Sequence, residues 1–173
     1  MLRPLTIVLG GAASGKSAVA EKLICDSGLD RVYLATSQIW DPEMQLKVDR
    51  HISDRGAGWR TIEEALAPWN VLSGCTGNDA VLMDCATMWL SNVMLGDGDV
   101  QAAQAQLLTG LAACDAPVVV VSNEVGQGIV PENALARAFR EAQGRLNIAL
   151  AAQADCVLHV LAGLVQVRKG EMP

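Results

Sequence analysis

A chain of 173 residues with a net charge of −6 and a pI of about 4.8 can bury a sizeable core as one domain. Its acidity, with no basic stripe anywhere, excludes long nucleic acid as a partner. Hydrophobic residues make up 51% but aromatics only 3%, so the core must be built from Ala, Val, Leu and Ile, which suits helices laid on a parallel sheet.

The elements alternate along the chain. The N-terminal "LTIVLG" is a continuous apolar run, as expected for a strand buried on both faces. It reads as a first strand and not as a signal peptide, because a glycine-rich turn interrupts it at once. "SAVAEKLICDSG" follows as a helix with Gly28 as its stop, and "RVYLATS" as a second strand. In "DPEMQLKVDRHISDR" Asp41 can cap a helix, Pro42 suits its first turn and Glu43 favours its positive end. "RTIEEALAPWNVL" is expected to be helical up to Pro68. "AVLMD" is a third strand, followed by the helices "CATMWLSNVML" and "VQAAQAQLLTGLAACDA", with the loop "GDGD" between them. "PVVVVSNE" is the clearest strand of all; a glycine-rich loop then leads into the long helix "NALARAFREAQGRLNIALAAQAD". "CVLHVLAG" and "LVQVRK" close the chain as two strands hinged at Gly163. This alternation predicts one α/β domain over residues 1–173, its sheet mostly parallel, with helices on both faces and an antiparallel C-terminal edge strand.

Cys25, Cys75, Cys85, Cys114 and Cys156 are scattered without a C-x-x-C pair. They read as reduced thiols of a cytoplasmic protein and argue against a zinc site. No apolar run reaches 18 residues, so no stable membrane insertion is expected.

"GGAASGKS", Gly10 to Ser17, matches the phosphate-binding pattern G-x-x-x-x-G-K-[ST]. Gly10 and Gly15 let the backbone curl around phosphate oxygens with its N–H groups inward. Lys16 supplies a point charge for the β- and γ-phosphates, and Ser17 a hydroxyl for Mg²⁺. The following helix aims its positive end at the anion. An apolar strand precedes and a helix follows, so the fold should be P-loop NTPase-like. Asp84, at the end of "AVLMD", is either the acidic partner of the magnesium ion or the cap of the next helix, or both. Asn123 and Glu124 also lie at a carboxyl strand end, where ligands of open α/β sheets bind; Glu124 reads equally as a turn residue.

Of the two histidines, His159 sits among apolar neighbours in a strand and reads as structural. If residues 42–54 are helical, Glu43, Lys47 and His51 share one row, beside an apolar row of Met44, Val48 and Ile52. Pattern alone favours a solvated histidine at position 51. With Lys47, Arg50 and Arg55 nearby to attract phosphate, and a reference pKa of about 6.5, it is also a candidate nucleophile or base.

Taken together, "GGAASGKS", "YLATSQIWDPEM", "RHISDRGAGWRTIEE", "LMDCATMWLSN", "VSNEVGQGIVPENALARAFREAQGRLN" and "HVLAGL" resemble the bifunctional adenosylcobinamide kinase / adenosylcobinamide-phosphate guanylyltransferase family of cobalamin biosynthesis. The stretches run in order over residues 7–168. The resemblance implies that Gly10, Gly11, Ala12, Ala13, Ser14, Gly15, Lys16 and Ser17 bind nucleotide phosphates, and that Thr36, Ser37 and Gln38 lie beside the nucleotide. It implies that His51 takes GMP covalently from GTP. It further implies that Ile52, Ser53, Asp54, Arg55, Glu63 and Asp84 contact the guanine nucleotide, Asp84 with Ser17 also serving Mg²⁺. Its substrates would be ATP or GTP, adenosylcobinamide and its phosphate, and its assembly a propeller-shaped homotrimer. Two positions depart from the family pattern: Ala13 stands where arginine is usual, and Ile148 where glutamine is. The alternatives to this reading are a P-loop kinase of another small hydroxyl substrate, without guanylyltransfer, and a nucleotide-dependent regulatory module.

Overall fold

The computed structural model describes residues 1–38 and 56–173. Its centre is a sheet of seven strands: β1 (Leu5–Gly10), β2 (Asp30–Ala35), β3 (Trp59–Glu63), β4 (Asp79–Asp84), β5 (Val118–Asn123), β6 (Cys156–Leu161) and β7 (Leu164–Lys169). Their order is β3-β2-β4-β5-β1-β6-β7, parallel throughout except for the last pair. The antiparallel pair turns at Ala162 and Gly163, both at positive φ. Left-handed geometry at both central residues matches the twist of a two-residue hairpin, and Gly163 is the hinge the sequence suggested.

Five helices occupy the described residues: α1 (Lys16–Asp26), α2 (Pro68–Leu72), α3 (Ala86–Leu95), α4 (Val100–Ala113) and α5 (Ala134–Gln153). Side chains alternate across each strand, so each strand feeds two cores. Val8, Leu82, Val119, Val121 and Leu158 pack with Ala20, Leu23 and Ile24 of α1. Ile7, Val81, Met83, Val118 and Val120 pack on the other face with Leu72, Trp89, Leu107, Leu146 and Leu150 from the remaining four helices. Trp89 is fully buried, and its indole N–H is satisfied by the Leu66 carbonyl at 3.0 Å.

One expectation is overturned. The stretch beginning at Arg60 starts as strand β3, and only Pro68–Leu72 is helical. Glu, Ala and Leu favour a helix locally, but parallel pairing with β2 (Arg31↔Trp59 through Ala35↔Glu63) satisfies the backbone of 59–63 instead. The period-2 pattern confirms it: Trp59 packs on the α1 face, and Ile62 on the other. Trp59 also meets Tyr33 edge-to-face, ring centroids 6.2 Å apart. The helix expected over 42–54 lies outside the described residues. No helix among the described residues is long and apolar enough to cross a membrane.

Candidate active site

The glycine-rich turn leaves β1 at the carboxyl edge of the sheet, where α/β folds bind ligands. Ala13 and Gly15 adopt positive φ (54° and 93°), which coils the loop between strand and helix. The Ser14 N–H closes on the Gly11 carbonyl at 3.3 Å, and the Lys16 ammonium folds back to the same carbonyl at 3.1 Å. That places a half-buried cation over a curl of backbone amides at a helix N-terminus, an anion cradle by construction. The cradle admits no side chain at Gly10: a Cβ there would stand 2.4 Å from Ser14 Oγ and 2.7 Å from the Val160 carbonyl oxygen. Ser14 Oγ is itself buried and without a hydrogen bond among the described residues. From outside, the hairpin turn braces the loop, the Gly163 N–H donating to the Ser14 carbonyl at 2.8 Å.

Asp84 ends β4 on the same face of the sheet as Leu82 and therefore as α1. It accepts from the Tyr33 hydroxyl at 3.0 Å. It does not cap α3: the cap is Cys85, whose sulfur accepts from the Met88 N–H. The Cys85 thiol is pushed up to about 12, by burial first and by the adjacent Asp84 second, with the Met88 and Thr87 amides and the Lys16 charge opposing.

Thr36 is fully buried, and its hydroxyl is spoken for: it donates to the Cys85 carbonyl at 2.7 Å and accepts from the Cys85 N–H at 2.8 Å. It ties β2 to β4 from behind the site. Asn92 of α3 adds to the tie, donating to the Thr36 and Ala65 carbonyls at 2.7 and 3.1 Å. Ser37 and Gln38 emerge beyond the clamp and, with Glu63, Glu64 and Ala65, line a recess of about 320 Å³. The parallel register Ala35↔Glu63 is what brings Glu63 there. Gly10–Ser17, Asp84, Thr36–Gln38 and Glu63 thus gather along one edge. His51, Ile52, Ser53, Asp54 and Arg55 lie outside the described residues, as do Lys47 and Arg50.

Glu124 proves to be a turn residue, its carboxylate accepting from the Gly126 N–H at 2.5 Å. Arg140 of α5 donates to the Gly126 and Gly128 carbonyls and Arg137 to those of Pro131 and Glu132, so α5 holds the loop 124–133. The two family departures are both exposed: Ala13 on the phosphate loop, and Ile148 on α5. His159 is half-buried in β6, opposite Leu9 of β1 and Gln166 of β7.

Sequence reasoning missed the Thr36–Cys85 clamp and a buried polar cluster of Ser122, Gln143 and Asn147. The cluster had a signal: a serine inside a valine run, and two amides at i, i+4 among the leucines of α5.

Residues 6–167 match the family model described as cobinamide kinase / cobinamide phosphate guanyltransferase. The bifunctional adenosylcobalamin biosynthesis protein CobP of Pseudomonas aeruginosa is 39% identical over 168 residues, covering 95% of this chain and 97% of the relative. The corresponding CobU protein of Escherichia coli is 41% identical, covering 92% and 97%. Among solved structures, the RadB recombinase superposes with a TM-score of 0.57 at 16% identity, over 97% of this chain and 81% of that one. At that identity the likeness supports the P-loop NTPase-like fold alone.

Proposed function

The chain belongs to the cobinamide kinase / cobinamide phosphate guanyltransferase family and is thus a bifunctional transferase of adenosylcobalamin biosynthesis, and on that premise we propose how its residues divide the two reactions. The observation that carries the reading is the convergence of the Lys16 loop, Asp84 and the Ser37–Gln38–Glu63 recess on one carboxyl edge.

In the first reaction the aminopropanol hydroxyl of adenosylcobinamide attacks the γ-phosphate of ATP or GTP, and the nucleoside diphosphate leaves. Lys16 and the amides of residues 10–17 take up the charge that develops on the phosphoryl oxygens. Mg²⁺ fits the donor set: Ser17 offers a hydroxyl on the first turn of α1 and Asp84 a carboxylate on the facing strand end. Among the described residues no group of three or more His, Cys, Asp or Glu side chains could hold a metal, so this ion would be completed by nucleotide oxygens and water. Bound there, it would supply positive charge against the phosphoryl oxygens.

In the second reaction a ring nitrogen of His51 attacks the α-phosphate of GTP and pyrophosphate leaves. The phosphate of adenosylcobinamide phosphate then takes GMP from the histidine, giving adenosylcobinamide-GDP. Ile52–Arg55, Ser37, Gln38 and Glu63 contact the nucleotide, while Thr36 fixes the strand end that carries them. The attacking ring must be neutral, so transfer declines as the pH falls through the histidine pKa. The enzyme works in the cytoplasm as one catalytic domain per subunit, and as a homotrimer. The exposed Ile129, Val130 and Leu135 support contact between copies, and the corrinoid docks in a cleft between them.

The test is incubation with GTP labelled at the α-phosphate. The wild type should acquire acid-labile, base-stable label and His51→Ala none. Absence of label on the wild type, while GTP binds, would overturn the guanylyl half. Failure of cobinamide to accept phosphate from any nucleotide would overturn the kinase half.

A further inference from the structure

Asn123 is the last residue of β5, and its position is fixed more tightly than an ordinary strand end requires. Its N–H donates to Thr87 Oγ1 at 2.8 Å. Its carbonyl accepts from Asn147 Nδ2 at 3.1 Å. Asn147 is held in turn: its Oδ1 accepts from Ser122 Oγ at 2.6 Å and from Gln143 Nε2 at 2.9 Å, and Gln143 Nε2 also reaches Ser122 Oγ at 2.9 Å. Ser122 and Gln143 are fully buried and Asn147 nearly so. Buried amides and hydroxyls are costly unless satisfied and are ordered when they are; of this cluster only Gln143 Oε1 has no partner among the described residues, and the bonded groups form a rigid mount. On the β1 side, the Glu124 N–H donates to the Gly10 carbonyl at 3.1 Å, locking the end of β5 to the start of the phosphate loop.

What the mount holds is a free carboxamide. The half-buried Asn123 side chain makes no hydrogen bond among the described residues, although both its peptide groups do. Strand alternation places it with Val119 and Val121, on the face that carries α1. The same face carries Asp84 on β4 and Gly10 on β1, and β5 lies between those two strands. Asn123 therefore stands between the phosphate loop and the acidic strand end, where the terminal phosphate of a nucleotide on the loop would lie. A neutral N–H₂ suits that place. It donates to phosphoryl oxygens, which only accept, and adds no negative charge beside Asp84.

We propose that the Asn123 carboxamide is a further catalytic residue: its N–H₂ donates to the γ-phosphoryl group in the kinase reaction, and Thr87, Gln143 and Asn147 are its positioning residues. This rests on the reading of the loop as a triphosphate site. In the transfer, the bond from the γ-phosphorus to the β,γ-bridging oxygen breaks as the new bond to the substrate oxygen forms; the nucleoside diphosphate leaves with the bonding pair and the hydroxyl proton passes to solvent. Asn123 loses no proton. It stabilises charge on a non-bridging oxygen, so its effect should appear with the γ-phosphate and vanish without it.

The experiment compares the wild type with Asn123→Ala and Asn123→Asp, using GDP, a non-hydrolysable GTP analogue and Mg²⁺. Asn123→Ala removes no protein hydrogen bond seen among the described residues, so its circular dichroism and melting should match the wild type. Its GDP affinity should hold, its affinity for the triphosphate analogue should fall roughly ten- to a hundredfold, and its phosphoryl-transfer kcat should fall on the order of 10²–10³-fold. Asn123→Asp should lose at least as much. For the mount, Thr87→Val should weaken triphosphate preference in the same direction, and Thr87→Ser should restore it. An unchanged ratio of triphosphate to diphosphate affinity in Asn123→Ala overturns the proposal; Thr87→Val altering melting alone overturns the positioning role. Wild type that binds neither nucleotide refutes the triphosphate site and this proposal with it. Wild type that binds both but phosphorylates no cobinamide refutes the kinase reading, and Asn123 is then judged on the binding ratio.

Discussion

Gly10→Ala is the substitution whose cost can be worked most directly from the structure. Gly10 is not at positive φ; what excludes a side chain is space. The added carbon would sit 2.4 Å from Ser14 Oγ, 3.2 Å from Ser14 Cβ and 2.7 Å from the Val160 carbonyl oxygen. Ser14 could swing away only by opening the loop. The Val160 oxygen belongs to the strand directly paired with Gly10 and has no freedom to retreat. Overpacking of this kind costs about 1–3 kcal/mol, which for a chain of this size lowers Tm by roughly 2–12 °C. The neighbour supplies the control, because a Cβ on Gly11 would meet nothing within 4 Å among the described residues. Gly11→Ala should therefore unfold within about 2 °C of the wild type. Differential scanning calorimetry of the three proteins without nucleotide decides the matter. Equal Tm values for the two variants would refute the steric account. Titration of Gly10→Ala with nucleotide should also show weakened binding, since the displaced atoms are those of the loop.

Thr36→Val keeps the shape of a buried residue and strands the N–H of Cys85, whose carbonyl keeps the Trp89 N–H at 3.2 Å; a loss of about 1–3 kcal/mol is expected in urea unfolding, and a loss near zero would mean water replaces the hydroxyl. The Asp79 carboxyl is held below its ordinary value, first by the Thr76 N–H, then by the Thr76 hydroxyl and Arg60, with burial opposing. A depressed carboxylate stabilises the fold above its unfolded pKa, about 3.9, and that contribution is lost as the pH falls through the folded value. Asp79→Asn should thus cost about 1.5–3 kcal/mol at pH 7, with the gap to wild type closing as the pH falls below about 4; a gap constant across that range would contradict the ionic account. Cys85, with its pKa at about 12, should resist iodoacetamide at pH 8 in the native protein and react only on unfolding. Peptide mass spectrometry reads this directly, and native labelling at the rate of a free thiol would disprove it.

The elements legible from sequence were those whose local pattern and tertiary role agree. The run before Gly10 is apolar because β1 is covered on both faces, and the same holds for β4 and β5. The phosphate loop was legible because its glycines and lysine are required by backbone geometry and charge at fixed offsets. The C-terminal hairpin followed from Gly163, which its turn needs at positive φ. Strand β3 was not legible, because Glu63 and the Glu64, Ala65 and Leu66 that follow it favour a helix, and only the pairing of 59–63 with β2 makes the first part a strand. Thr36 could be assigned to the site region, but its role as a clamp could not be read. A threonine ending a strand looks the same whether its hydroxyl faces a ligand or a neighbouring peptide. Asp84 carried two readings until Cys85 was found capping α3, which leaves the carboxylate to the sheet edge.

Strand order explains why the unread residues gather where they do. With β5 between β1 and β4, the end of the strand that leads into the phosphate loop and the end of the acidic strand lie two strand spacings apart, about 9–10 Å. A loop alone could not hold that gap constant. Here it is spanned by covalent strand and fixed partners. Glu124 donates to Gly10 on one side of β5, and Thr87 at the start of α3 accepts from Asn123 on the other. Beyond β1 the hairpin turn supports Ser14, and beyond β4 the Thr36 clamp supports Cys85. Each support is a hydrogen bond to a backbone group made by a residue distant in sequence, so none has a local motif to betray it. The loop motif is legible by its glycines and lysine, while the spacing between that loop and the acidic strand end is set by the residues around it.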